Sequence, residues 1–320
     1  MKKVLRIVAV AAGVVIGGIA LAIAFGGPGT PAPLRSISDP FKGVDFSDLP
    51  PLEKFICRGG DPLAFREYKA AGEPAGNVVL VHGSSAHSAS MHSLAKAYAK
   101  AGFRAFSLDM RGHGASGGQE TIKGPNHLQY DVEDFLKATR LTGNATLVGF
   151  SSGGGFVLGF AGGPRQDLFT GYVLLAPFVS QEAPTYRPDG GGWVSVGVPR
   201  IIGLVLLNAA GIGAFNNLPV LRFAVADEMK KNLTAEYSYS LAMRFRAPPD
   251  WRRTISAVQQ PMAVLVGEKD ELFVADQFAP LFAEKKIPVT VVPGVNHIGL
   301  ILDERALQAA VSATAKLKRP

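Results

Sequence analysis

The chain has 320 residues, 47% of them hydrophobic, enough to bury a large core in one or two domains. Its one cysteine, Cys57, excludes an internal disulfide framework and any multi-cysteine metal site. The net charge of +7 does not point to nucleic acid: Lys2, Lys3 and Arg6 flank an apolar leader, Lys316, Lys318 and Arg319 form a tail expected to fray, and no basic stripe interleaved with aromatics lies between.

From Ile7 to Phe25 every residue is apolar or glycine. The length approaches the ~20 residues a bilayer core requires, which favours a transmembrane anchor, whereas Ala22-Ile23-Ala24 fits a signal-peptide cleavage site. Either way the cations stay inside and the remainder is exported, periplasmic or extracellular; cleavage near Ala24 would release it. The stretch 26–50, with Pro28, Pro31 and Pro33, is expected to be a linker holding the globular part off the membrane. Phe55 to Arg58 reads as an edge strand, with Cys57 a buried structural thiol. Strands are then expected at Asn77–Val81, Phe103–Leu108, Ala145–Phe150, Tyr172–Ala176, Met262–Val266 and Val289–Val292. Helices are expected at Ser90–Ala101, Leu128–Thr139, Ala275–Glu284 and Glu304–Leu317. Short β-branched runs alternating with amphipathic helices imply an α/β fold, a mainly parallel sheet covered on both faces.

Residues 181–260 break this rhythm between the two core parts, 51–180 and 261–320, and are expected to form a helical cap over the strand ends. Within it, Ile201 to Phe215 is too short to span a bilayer comfortably. It reads as cap core, or alternatively as an acyl-chain wall or membrane-facing surface. Mixed helical residues are expected around Asp227 to Arg244.

The stretch Leu147-Val148-Gly149-Phe150-Ser151-Ser152-Gly153-Gly154-Gly155 is an apolar run ending in Gly-x-Ser-x-Gly. This spacing suits a strand-to-helix elbow that lifts Ser151 above the sheet. A serine hydroxyl needs a base, and the base an orienting group. Of the six histidines, only His297 follows Ser151. Asp270, in Gly267-Glu268-Lys269-Asp270-Glu271, is the favoured acid, with Glu268 and Glu271 as local competitors. Negative charge developing on the substrate calls for two backbone N–H donors. Ser152, after the nucleophile, and Ser84, in the His82-Gly83-Ser84-Ser85 loop after an earlier strand, are the candidates; His82 reads as a loop brace.

Val81-His82-Gly83, Asp109-Met110-Arg111-Gly112-His113-Gly114-Ala115-Ser116, the Ser151 elbow, Gly267-Glu268-Lys269-Asp270 and Asn296-His297 together resemble the α/β-hydrolase superfamily. More narrowly, the chain is similar to its serine aminopeptidase-like branch, which includes monoacylglycerol lipases and lysophospholipases. The resemblance runs from about Cys57 to the C-terminus, interrupted by the cap. It implies nucleophile, acid and base roles for Ser151, Asp270 and His297, an oxyanion hole at the Ser84 and Ser152 amides, and a structural role for the Arg111-to-Ser116 loop. Phe150 departs from the histidine those lipases often carry before the nucleophile. The expected activity is a serine hydrolase cleaving lipid-like carboxylic esters, with no metal or organic cofactor. The alternatives are a peptidase or amidase acting on short apolar peptides, and a non-catalytic membrane-tethered binding protein.

Overall fold

The computed structural model describes residues 1–317; the Lys318 and Arg319 part of the expected tail lies outside them. Six strands precede the cap: β1 (Glu53–Ile56), β2 (Pro62–Tyr68), β3 (Gly76–Val81), β4 (Phe103–Leu108), β5 (Thr146–Phe150) and β6 (Gly171–Leu175). The short strands β7 (Val194–Val196), β8 (Pro219–Phe223) and β9 (Glu236–Ser238) lie within it, and β10 (Met262–Gly267) and β11 (Val289–Val292) follow. The helices are α1 (Lys2–Phe25), α2 (Arg35–Ser38), α3 (His92–Lys100), α4 (His127–Thr139), α5 (Ser152–Ala161), α6 (Val198–Ala209), α7 (Tyr239–Ala242), α8 (Trp251–Ser256), α9 (Phe278–Phe282), α10 (Gly299–Leu302) and α11 (Glu304–Leu317).

The main sheet runs β1-β2-β4-β3-β5-β6-β10-β11. Its β1–β2 and β2–β4 pairs are antiparallel, and the other pairs are parallel. Strands β5, β6 and β10 are buried at every position, the continuous apolar pattern of strands covered on both faces. Helices α3, α10 and α11 pack together against the sheet, Tyr98 Oη meeting Thr314 Oγ1 at 2.7 Å, while α5 and α8 form part of a second layer with α4. The strand order reverses direction around β3 and β5, so a crevice opens beyond their carboxyl ends, where open α/β sheets hold their ligands.

Two expectations need correction. The cap is not wholly helical: β7, β8 and β9 form an antiparallel sheet, and the mixed helical stretch Asp227 to Arg244 holds a 3-10 turn at Asp227–Met229 and the four-residue α7 on either side of β9. These strands are three to five residues long and draw their stability from tertiary packing, as with Tyr237, 2% exposed. The 26–50 stretch is not a free spacer either. Gly26 and Gly27 abut α6, Leu34 N–H donates to Ala224 O at 2.9 Å, and Ile37 and Ser38 are buried.

Cys57 sits one residue past edge strand β1 and is 3% exposed. Its Sγ lies 3.0 Å from Arg111 Nη2, and the same guanidinium makes a two-pronged bond to Asp131, both contacts 2.8 Å, and a further pair with Asp61. Arg111 is 1% exposed and Asp131 3% exposed, so each charge depends on the other. This charge pair gives the Arg111-to-Ser116 loop its structural role. Arg111→Ala should cost about 3–5 kcal/mol, because it strands the Asp131 carboxylate in the interior. Urea unfolding checks this; a loss below about 1 kcal/mol would show that the pair contributes no more than a surface contact.

Candidate active site

Ser151 joins β5 to α5 with φ 56° and ψ −119°, a conformation a residue bearing a Cβ rarely adopts. Neighbouring backbone over-determines it: Ser151 N–H donates to Leu175 O at 2.9 Å, and Ser151 O accepts from Gly155 N–H at 3.0 Å and Phe178 N–H at 2.9 Å. The flanking glycines are obligatory. A Cβ on Gly149 would run into the Gly153 carbonyl, and one on Gly153 into the carbonyls of His82 and Val81, all backbone that cannot swing aside.

The other side chains come from loops at the same sheet edge. His297 follows β11, and its Nδ1 lies 2.8 Å from Asp270 Oδ2 after β10; both residues are 2% exposed. Asp270 Oδ1 accepts the Leu272 and Phe273 N–H groups, each at 2.9 Å, which fixes the carboxylate. With Nδ1–H donated to Asp270, the Nε2 lone pair of a neutral His297 is left available as a base. The competing carboxylates brace the loop: Glu268 accepts Gly294 N–H at 2.8 Å and Glu271 accepts His297 N–H at 3.0 Å. Phe150 and Phe273 pack on the imidazole, at ring-centroid distances of 4.7 and 5.3 Å. The departure at Phe150 thus puts an apolar plate beside the base. Ser151 and His297 line one cavity, and no hydrogen bond joins their side chains among the described residues.

The loop after β3 brings Gly83 to the elbow, a Cβ on it falling 3.2 Å from that of Ser151. Ser84 N–H has no acceptor among the described residues, as a free donor requires, whereas Ser85 N–H donates to Tyr237 Oη at 2.8 Å. Tyr237 in turn meets His113 Nε2 at 2.6 Å, Trp193 Nε1 donates to Ser84 Oγ at 2.9 Å, and Thr234 N–H donates to Ser85 O at 2.9 Å. Sequence reasoning missed these cap residues. No motif marks them, because they lie over a hundred positions from the loop they hold and reach it only through the cap's fold.

His82 braces the loop as expected: its Nε2 accepts Met110 N–H at 3.2 Å while Nδ1–H donates to its neighbour's carbonyl, Gly83 O, at 2.7 Å. Burial pushes the His82 imidazole down to about 4, and burial together with the facing His82 pushes His113 well below its ordinary value. Both are neutral in the folded protein at pH 7, whereas in the unfolded chain each takes up a proton near the ordinary histidine value of 6.5. Their contribution to stability is therefore complete above about pH 6.5 and is lost as the pH falls towards about 4. Thermal melts across that window should show Tm falling before the carboxylates titrate; a flat Tm would contradict the assignment.

Comparison with known proteins bears on the family and the fold. The profile of the serine aminopeptidase S33 family matches residues 72–298. Over 263 residues the chain is 29% identical to a monoacylglycerol lipase from Mycolicibacterium smegmatis, covering 76% of this chain and 88% of that one. The structure is similar to that of a monoacylglycerol lipase from Paleococcus ferrophilus, with TM-score 0.60, 20% identity and coverage of 80% of this chain and 99% of the other. It is similar also to a soluble variant of monoglyceride lipase from Saccharomyces cerevisiae, with TM-score 0.60, 17% identity and coverage of 83% and 95%. At such identities the two structures establish the α/β-hydrolase fold. With the family profile covering well over half its length, the chain belongs to the serine aminopeptidase S33 family of α/β-hydrolases.

Proposed function

We propose that this hydrolase cleaves lipid-like carboxylic esters, such as monoacylglycerols or lysophospholipids, through an acyl-enzyme on Ser151. The observation that carries the reading is the buried 2.8 Å Asp270–His297 pair, whose His297 lines the same largely apolar cavity as Ser151. In this mechanism His297 Nε2 takes the hydroxyl proton as Ser151 Oγ attacks the ester carbonyl. Asp270 holds the imidazole in the required tautomer and stabilises the imidazolium. The Ser84 and Ser152 N–H groups receive the oxyanion, and Ser152 adds the favourable end of the α5 dipole. The tetrahedral intermediate collapses as the imidazolium returns its proton to the departing alcohol. Water, deprotonated by His297, then releases the fatty acid and restores Ser151. The lipase names among the relatives and the apolar cavity wall favour an ester over an aminoacyl amide.

The same reading holds the enzyme at a membrane, with its catalytic part on the exported side. Helix α1 has a mean hydropathy of 2.7 in its most apolar window and no buried residue, and its 24 residues span about 36 Å, against about 30 Å of bilayer hydrocarbon. Helix α6 lies antiparallel beside its last turns: Gly203 meets Ile23, Pro199 meets Gly26, and Arg200 Nε donates to Ile23 O at 2.8 Å. Ile202, Val205 and Leu206 on α6 are exposed, and no charged residue occurs from Ile201 to Leu221. This supports the membrane-facing reading of Ile201 to Phe215.

A panel of monoacylglycerols, lysophospholipids and aminoacyl amides tests the function. Wild type should turn over the lipid esters, and Ser151→Ala and His297→Ala should each lose at least about a thousandfold in kcat while remaining folded by a cooperative thermal melt. Undiminished turnover in either variant removes that residue from the mechanism. Preference for the amides sinks the lipid-ester reading.

A further inference from the structure

The cavity that holds Ser151 and His297 has a volume of about 620 Å³, within the range that takes a drug-sized ligand. Much of its apolar wall comes from neither the core nor the cap insertion. Ile37, Phe41, Phe46 and Leu49 line it from the stretch read in the sequence as a spacer, Leu52 lines it from just beyond that stretch, and all five lie N-terminal to the family-matched residues 72–298. This strap, residues 35–52, is fixed at its two ends. Before it, Leu34 N–H bonds the cap at Ala224 O, at 2.9 Å, and Arg222 Nη1 bonds Thr30 Oγ1 at 2.6 Å. Towards its far end, Asp48 pairs with α3 through His92 Nε2 at 3.1 Å and Lys96 Nζ at 2.7 Å, and Arg66 bonds Pro50 O. Between these anchors the side-chain polar bonds are local, such as Lys42 to Asp39 at 2.6 Å, so the apolar side chains against the cavity set where the middle of the strap rests.

The chemistry of the wall is divided. Lys42 is the one charged side chain the strap presents to the cavity, whereas the cap segment on it carries Glu228, Lys231 and Asn232 beside Met229 and Leu233. Resting on the ester-hydrolase reading above, we propose that the strap is the acyl-chain selector, taking the fatty chain of the substrate against Phe41 and Leu49 while the polar cap segment faces the alcohol moiety. Chain-length preference is then a property added by this chain's N-terminal extension, coupled through residues 26–34 to α1, and separable from the catalytic loops.

The test uses the full chain in detergent and 4-nitrophenyl esters from about four to about sixteen carbons, since each methylene accepted or refused by an apolar pocket changes kcat/KM by about tenfold or more. Leu49→Trp fills the cavity and should lower kcat/KM for the longest esters about tenfold or more, leaving the shortest within about twofold. Phe41→Ala opens it and should move the preferred chain length upward. Both side chains are half-buried, and Tm with fluorophosphonate labelling of Ser151 reports on folding. Each substitution decides independently, so one that unfolds leaves the other to judge. Profiles that coincide with wild type in the folded variants overturn the strap assignment and leave the ester reading standing. A wild type that turns over none of the esters overturns both.

Discussion

The site is built around a backbone constraint: Ser151 is held at φ 56° between a fully buried strand and a nearly fully buried helix. Such a conformation costs on the order of 1–3 kcal/mol and persists only where the surroundings over-determine it. Three main-chain hydrogen bonds from β6, α5 and the loop after β6 do so here, and the backbone on either side comes so close that only glycine fits at 149 and 153. The strain sits at the residue whose hydroxyl opens onto the cavity, and the rigid core keeps it there.

The remaining parts of the site are fixed by the same means, each loop tied to an element it does not neighbour in sequence. Backbone amides of its own loop and the His297 imidazole hold Asp270, Glu268 and Glu271 hold the backbone of the His297 loop, and Trp193, Thr234 and Tyr237 of the cap hold the Ser84-Ser85 turn. The cap is therefore more than a cover over the cavity. Its residues bond the Ser84-Ser85 turn directly, so a movement of the cap would be felt at that turn.

Much of this was legible in the amino-acid order because the core elements are locally consistent. The β4, β11 and α11 bounds match the hydrophobic pattern residue for residue, since β-branched runs and helical spacing there agree with the tertiary environment. His297 stood out as the only histidine after Ser151, and Asp270 by its offset from β10. Geometry separates Asp270 from Glu268 and Glu271, because all three carboxylates lie within reach of the same loop and differ only in whether they meet the ring or the backbone. The cap sheet and the strap were not legible. The strap's glycine- and proline-rich approach has the composition of a spacer, and its few turns form because the core and cap offer a surface to pack on. Short strands such as β7 and β9 carry too few residues for periodicity to register.

Functionally, an apolar helix long enough to cross a bilayer has a cap helix with exposed apolar side chains beside its end, and an N-terminal strap leads from it to the cavity. That arrangement suits a substrate drawn from lipid, provided Ser151 is the group that takes the acyl chain. The most direct measurement is rapid-quench mass spectrometry of the full chain mixed with a long-chain ester. The account predicts a transient acyl mass on the peptide containing Ser151, rising with alcohol release and decaying with release of the fatty acid. Ester turnover with the acyl mass on another residue, or with a burst of alcohol and no adduct on Ser151, would contradict it.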